Sequence, residues 1–400
     1  MGQQQGVTQT AATTVGVLGG SWRADVDDRG RVVTWEGAAL DWWIAAEDRW
    51  HDPRHELTVR QQVLDGTPVV ETRLRVPGGD VVHRVYAVAD AGGVTVIEVE
   101  NDSPASVAVV FSHGRLLSAR PPADVPIEGI EVPAGAVSFP LGHHATLRVG
   151  LAHQGGGGTV PQELPTPLAV ARGWTRSAEA ASRLVLPDSL VAERLVSSRC
   201  SLLLNGPADP KQDAASALVG IGELVRMGAD AVDLVPEVAT VAERLGKSAR
   251  TCGLDWAGAV GLSAAARVFA AADETRASVD VEALVARLGG AGAPAPSDAP
   301  DGILFVPWLE QQLARPRVNG MCDLLAGGFP SGWLGANWEV HRLPAGPRST
   351  VSFAVRWHGE RPAVLWEISG EAVTLVGGAA APQWRSEGMS GEALWPQPPA

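Results

Sequence analysis

The periodicity of the apolar residues changes twice along the chain, and this limits the folds open to it. Residues 67–76 and 81–88 are rich in β-forming residues and flank a Pro-Gly-Gly-Asp turn, which predicts a β-hairpin. Further short β-type segments follow up to residue 151. From residue 187 the period lengthens to that of helices, and after residue 302 it shortens again. The predicted order is therefore strands, helices, strands.

This order predicts an α+β multidomain protein in which antiparallel β-sandwich modules flank an all-α helical region. We expect an N-terminal β-sandwich over residues 15–180, a helical module over 185–290 and a C-terminal β module over 302–395. The Gly/Ala/Pro-rich stretch 289–301 is predicted to link the last two. Because no fixed period recurs, the chain is not expected to be a solenoid.

The helical module is predicted to hold about five helices joined by short links. Their predicted starts are Ser189, Asp213, Pro236, Trp256 and Val279. The fourth of these helices is very rich in alanine, and Ala-rich helices pack closely in pairs.

The charge of the chain argues against a general binder of nucleic acids. Lys and Arg number 32 against 45 Asp and Glu, so the formal net charge is −13. Proteins that bind phosphate backbones usually carry a basic surface. No apolar run is long enough for a membrane span, and the first 14 residues lack the pattern of a secretory signal. We therefore expect no nucleic-acid or membrane partner and a cytoplasmic location.

Metal and cofactor sites are not predicted. The cysteines Cys200, Cys252 and Cys322 are far apart and lack a CxxC partner. His143 and His144 are adjacent, and neighbours on a strand point to opposite faces, so they cannot easily share one ion. The glycine clusters do not match a P-loop or a dinucleotide fingerprint. No cofactor is therefore expected.

Tryptophan is over-represented among the aromatic residues, with 14 Trp against 6 Phe and 1 Tyr. Two clusters, the first over residues 41–51 and the second over residues 333–367, combine indole rings with charged residues or histidine, an arrangement that suits stacking on a sugar. The residues proposed to contact a ligand are Trp42, Trp43, Trp50, Trp338, Trp357, His358 and Arg361. The competing hypothesis is core packing, because tryptophan mostly fills protein interiors. Trp42 and Trp43 are adjacent, so only one of them is expected to face a core.

Three carboxylates lie beside the second cluster and are the candidate catalytic groups: Glu339, Glu360 and Glu367. Hydrolysis of a glycosidic bond needs two carboxyl groups on opposite sides of that bond. An inward-facing glutamate would have a raised pKa and could act as a general acid. The competing hypothesis is an ordinary surface carboxylate paired with a neighbouring arginine. The sequence does not identify a catalytic pair.

Several of these segments resemble one known family. Residues 35–43, residues 66–73 and the hairpin through Tyr86 resemble the N-terminal β-sandwich of bacterial glucoamylase-like glycoside hydrolases. Residues 193–203 and 213–228 are similar to helices of that family's (α/α)-toroid. The chain departs from the family in three ways. It has too few predicted helices for a complete toroid, Gln212 replaces the family's arginine before Asp213, and no segment matches the catalytic loops.

The resemblance implies a carbohydrate-associated function, namely a glycoside-hydrolase-like protein that acts on or binds α-glucan-type oligosaccharides. The alternative hypothesis is a non-catalytic scaffold or interaction protein derived from that architecture, with a homo-oligomer or another protein as its partner. Two carboxylates facing one aromatic-lined pocket would distinguish the enzyme from the scaffold. The C-terminal β module, rather than the helices, is expected to carry the ligand surface.

Overall fold

A computed structural model describes residues 12–123, 131–153, 160, 163–317 and 319–398, with Ala91 and Ala291 as backbone only. The chain forms two compact units, residues 1–175 and 176–400. The boundary between them falls within helix α1 (Pro167–Ala178). The described residues form seven α-helices and five sheets, which confirms the predicted α+β class. None of the described helices is long and apolar enough to cross a membrane.

The first unit consists mainly of strands. They are β1 (Thr13–Gly16), β2 (Arg23–Val26), β3 (Val32–Thr34), β4 (Ala39–Leu40), β5 (Trp42–Ala45), β6 (Trp50–His51), β7 (Arg60–Val63), β8 (Val70–Val76), β9 (Gly79–Val88), β10 (Val94–Asp102), β11 (Val107–Phe111), β12 (Leu117–Ser118), β13 (Val137–Leu141) and β14 (Thr146–Ala152). Three sheets have the orders β1-β2-β3-β4, β12-β14-β10-β9-β8-β7 and β13-β11-β5-β6. Val85 and Ile97 of the six-stranded sheet share a core with Val109 and Phe111 of the last sheet, as in a sandwich.

The β8–β9 hairpin was predicted from its turn residues. The two strands pair in antiparallel register from Val70↔Val85 to Val76↔Gly79. Gly78 has a φ of +78°, a conformation that residues with a Cβ rarely adopt. This local requirement explains why the turn could be found from the sequence.

The second unit contains the remaining six helices of the described chain. They are α2 (Ser189–Asn205), α3 (Ala214–Arg226), α4 (Ala231–Cys252), α5 (Trp256–Ala271), α6 (Thr275–Arg287) and α7 (Phe305–Leu313). The starts of α2, α3, α4 and α5 share one device: the side chains of Asp188, Asp213, Asp230 and Asp255 accept a hydrogen bond from a backbone N–H of the first turn. The predicted start of the third helix at Pro236 was wrong, because the cap at Asp230 starts α4 earlier and Pro236 lies inside it.

Strands of the second unit belong to two sheets. They are β15 (Arg183–Val185), β16 (Ala314–Pro316), β17 (Met321–Leu324), β18 (Trp338–Gly346), β19 (Ser349–His358), β20 (Arg361–Gly370), β21 (Thr374–Gly377), β22 (Ala381–Ser386) and β23 (Ser390–Leu394). The sheet orders are β15-β18-β19-β20-β23 and β16-β17-β21-β22, and the β17–β21 pair is parallel. Phe305 and Leu309 of α7 share a core with both sheets. The helices and C-terminal strands, predicted as separate domains, therefore lie in one compact unit.

Helix α5 is buried against α3 at a very short distance. A Cβ atom placed on Gly261 would lie 3.1 Å from both the Cα and the carbonyl oxygen of Ala215. We expect Gly261→Val to lower the free energy of unfolding by about 1–3 kcal/mol, because the two helices would have to move apart. Urea denaturation measures this loss. The control is Ala283→Val, at an exposed position of α6; equal stability losses in the two variants would contradict the prediction.

Candidate functional site

The first predicted aromatic cluster is buried. Trp42 is 3% exposed and stacks on His83 with ring centroids 4.4 Å apart, inside the sandwich. Trp43 points to the opposite face, where Arg54 lies over its ring at 5.4 Å, and is only 1% exposed. As expected, only Trp42 of the pair belongs to the sandwich core, although Trp43 is buried as well. Trp50, on the adjacent strand β6, is half-buried.

The second cluster divides between a core and a turn. Trp338 is 1% exposed and packs edge-on against Phe353, while Trp357 is half-buried against Phe329. His358 and Arg361 are exposed at the ends of β19 and β20. The Arg361 Nε donates to the carbonyl oxygen of Trp395 at 3.0 Å. The indole rings thus form part of the interior rather than an open platform.

The three candidate carboxylates do not meet in one pocket. Glu339 pairs with Arg356 and, at 3.3 Å, with His341. The hydrogen bond from Arg356 holds the pKa of Glu339 below its usual range, so this carboxyl is a poor general acid. Glu360 lies exposed in the β19–β20 turn, and Glu367 is exposed on β20. The ordinary surface interpretation fits all three.

A cavity of about 780 Å³ lies elsewhere in the second unit, among α5, α6, residues 290–295 and the segment from α7 through β16. Most of its wall is alanine, valine, proline and glycine. The polar side chains in the wall are Ser263, Arg267, Glu282, Glu310, Gln311, Gln312, Arg315 and Arg317. The predicted linker 289–301 therefore contributes part of the cavity wall.

Small residues on α5 leave the space for this cavity. Ala259, Ser263 and Ala266 follow one another at helical spacing along its wall. At the start of α5, the Trp256 Nε1 donates to Gln311 Oε1 at 2.9 Å, which ties this helix to α7. Since that bond occupies the amide oxygen of Gln311, its NH₂ group keeps both of its donor hydrogens.

Arg267 is the most unusual group in the wall. Its Nε is buried without a hydrogen-bond partner, and no described residue forms an ion pair with it. Burial, followed by repulsion from Arg226, lowers the pKa of Arg267 to about 10, so the guanidinium is still charged at neutral pH. The nearby carboxylates of Glu223 and Glu310 attract Arg267 and partly offset these effects, but neither forms an ion pair with it. Arg267 therefore presents an incompletely compensated positive charge to a mostly apolar cavity.

A buried ionic network lies next to Arg267. The Glu310 carboxylate accepts hydrogen bonds from Ser182 at 2.6 Å, Arg199 at 3.0 Å and Arg226 at 2.9 Å. Burial acts to raise the pKa of Glu310, but the two guanidinium groups outweigh it and lower the pKa to about 2. Glu223 pairs with the same two arginines. With Arg267 included, three cations face two carboxylates.

The other charges of the wall also favour an anion. Arg315 and Arg317 both contact the buried Asp323, so two cations share one carboxylate. Glu282 is half-buried and forms no ion pair with a described residue. Burial, and then the charge of Glu371, raises the pKa of Glu282. The cavity thus carries an excess of positive charge in a chain whose net charge is −13.

This site was not predicted, although the sequence contains one signal of it. Arg267 is the sole charged residue in the sixteen residues of α5. A lone cation in a helix that is otherwise buried must be paired or must face a cavity. Among the described residues there is no group of three or more His, Cys, Asp or Glu side chains that could hold a metal ion.

Comparisons with known proteins do not add a function to this geometry. No protein-family model matches the sequence, and a search of curated proteins found no significant match. The function of the cavity is therefore inferred from its own residues.

Proposed function

We propose that the second unit binds a small anionic organic molecule in the cavity, with Arg267 as its anchor. The observation that carries this proposal is the Arg267 guanidinium in the cavity wall, which has no ion-pair partner among the described residues. Its Nε is buried without a hydrogen bond, although the side chain as a whole is half-buried. A buried charge without a partner is costly, and a carboxylate or phosphate group can accept two parallel hydrogen bonds from arginine. An acidic ligand would thus supply the missing partner.

The rest of the wall supports an organic ligand rather than a simple ion. A volume of about 780 Å³ lies within the usual range of small-molecule pockets. The alanine, valine and proline side chains offer contacts for a carbon skeleton. Ser263, Gln311 and Gln312 offer hydrogen bonds to hydroxyl or carbonyl groups. This proposal differs from both functions inferred from the sequence, the glycoside hydrolase and the scaffold, and the cytoplasmic location predicted from the sequence is part of it.

Arg267→Met is expected to weaken binding of an anionic probe by about tenfold or more, because hydrogen bonds to charged groups contribute roughly 1.5–3 kcal/mol. Isothermal titration would compare two matched pairs, gluconate with sorbitol and benzoate with benzyl alcohol. We expect the anion of at least one pair to bind more tightly than its neutral partner. The methionine side chain keeps the apolar stem of Arg267 and removes its charge.

The matched control for this variant is Arg287→Met, which removes an exposed arginine from the end of α6 outside the cavity. Its affinity for the anions should equal that of the unmodified protein. The proposal is wrong if the neutral probes bind as tightly as the anions, or if Arg267→Met retains full affinity.

A second proposed function is the carbohydrate-related one, with an α-glucan oligosaccharide as ligand or substrate. It is favoured by Glu282 and Glu310, two carboxyl groups of one cavity wall whose pKa values are shifted in opposite directions. Glu310 is saturated by its arginine partners, so Glu282 would have to be the general acid. Maltotriose hydrolysis that is lost in Glu282→Gln would support this function. If the unmodified protein does not cleave maltotriose, catalysis on this substrate is excluded.

A further inference from the structure

Asp323 does not share its charge equally between Arg315 and Arg317. The Arg317 Nε and Nη2 atoms lie 2.8 Å and 2.6 Å from its two carboxylate oxygens. Arg315 makes a single contact, of 3.2 Å, from Nη2 to Oδ2. The pair with Arg317 is the closer one, because its Nε hydrogen bond to Oδ2 is shorter than that of Arg315 and its Nη2 also lies near Oδ1, although Oδ1 accepts no hydrogen bond. Arg315 is therefore the cation in excess.

Arg315 and Arg267 occupy different parts of the cavity wall. Arg267 projects from α5 and has a buried Nε, whereas Arg315 lies on β16 with 53% of its side chain exposed. The cavity thus has one inner guanidinium and one guanidinium near solvent, each without full compensation. Glu282 is the one wall carboxylate without a partner among the described residues.

We propose that the ligand carries two acidic groups on one carbon skeleton, the first bound by Arg267 and the second by Arg315. This inference rests on the proposed anion-binding function. It narrows the class of ligand to dicarboxylates or bisphosphates. A ligand with one acidic group, bound at Arg267, would leave Arg315 with its single contact to Asp323 alone. A second acidic group would neutralise Arg315. It would also orient the carbon skeleton of the ligand along the cavity, past Ser263, Gln311 and Gln312.

Two matched probe series test the number of acidic groups and their chemistry. Sorbitol, gluconate and glucarate share a six-carbon skeleton with none, one and two carboxylates. Fructose, fructose 6-phosphate and fructose 1,6-bisphosphate form the corresponding phosphate series. We expect affinity to rise with each acidic group in at least one series. The series in which it rises distinguishes a carboxylate ligand from a phosphate ligand.

The Arg315→Gln variant removes the second anchor and leaves Asp323 paired with Arg317. We expect it to weaken binding of the two-acid probe about three- to fivefold, since an exposed ion pair contributes up to roughly 1 kcal/mol. Binding of the one-acid probe through Arg267 should change less than twofold. Arg287→Gln, outside the cavity, should change neither affinity. Equal thermal melting of the variants would show that Arg315→Gln is folded, and Arg315→Lys would then restore part of the affinity.

The outcomes separate this inference from the proposal on which it rests. If one-acid and two-acid probes bind equally and Arg315→Gln changes neither, the two-acid ligand is refuted while anion binding at Arg267 stands. If no acidic probe binds more tightly than its neutral counterpart, both proposals fail. Loss of one-acid binding in Arg315→Gln would also overturn the assignment of the inner anchor to Arg267.

Discussion

Glu310→Ala is expected to lower the free energy of unfolding by about 3–5 kcal/mol. Arg199 is completely buried, and its guanidinium would lose one of its two carboxylate partners. Arg226 would lose a partner as well. Two buried cations would then share Glu223 alone. Urea denaturation followed by tryptophan fluorescence measures the loss.

The pH dependence of stability shows whether this loss comes from the charge of the Glu310 carboxylate. Because the pKa of Glu310 is about 2 when folded, its stabilising contribution is complete above the ordinary glutamate pKa of about 4.3 and is lost as the pH falls towards 2. The difference in stability between the unmodified protein and Glu310→Gln should therefore shrink over this window. Glu367→Ala, at an exposed position of the same unit, is the control and should change stability by less than about 0.5 kcal/mol. A pH-independent difference would refute the ionic origin.

Trp338→Ala should cost about 3–5 kcal/mol of stability, because it removes a large side chain from the core shared by the sheets and α7. The indole lies between Trp333 and Phe353, with ring centroids 5.4 Å and 5.5 Å away. Its Nε1 has no hydrogen-bond partner among the described residues, so the loss comes from packing rather than from a polar contact. Urea denaturation measures this loss as a lower midpoint of unfolding with an unchanged m-value.

Two comparisons test the core role of Trp338. Trp338→Phe keeps an aromatic ring and should cost less than the alanine variant. Leu365→Ala, at an exposed position of β20, should be nearly neutral. Anion binding should persist in Trp338→Phe, since this residue does not line the cavity. A small loss of stability in Trp338→Ala, together with loss of ligand binding, would instead show that this indole contacts the ligand.

Local chemistry was sufficient for much of the architecture. The order of strands and helices follows from hydrophobic periodicity, and the β8–β9 turn follows from a glycine with positive φ. Three of the predicted helix starts, Ser189, Asp213 and Trp256, lie within one residue of an aspartate whose carboxylate accepts a bond from a free N–H group of the first turn. Helix α7 was missed because its residues 305–313 lie in a stretch otherwise rich in strands.

Burial and pairing depend on residues that are distant in sequence. Alternation along β5 places Trp42 and Trp43 on opposite faces, but it does not show that Arg54 covers the second face. Likewise, the sequence shows a lone arginine in α5 without showing what lies opposite it. The cavity around Arg267 combines residues from Trp256 to Pro347, and its charge depends on which partners the other arginines have already taken. Such pairing is a three-dimensional property, because ion pairs and packing act through space and not along the chain.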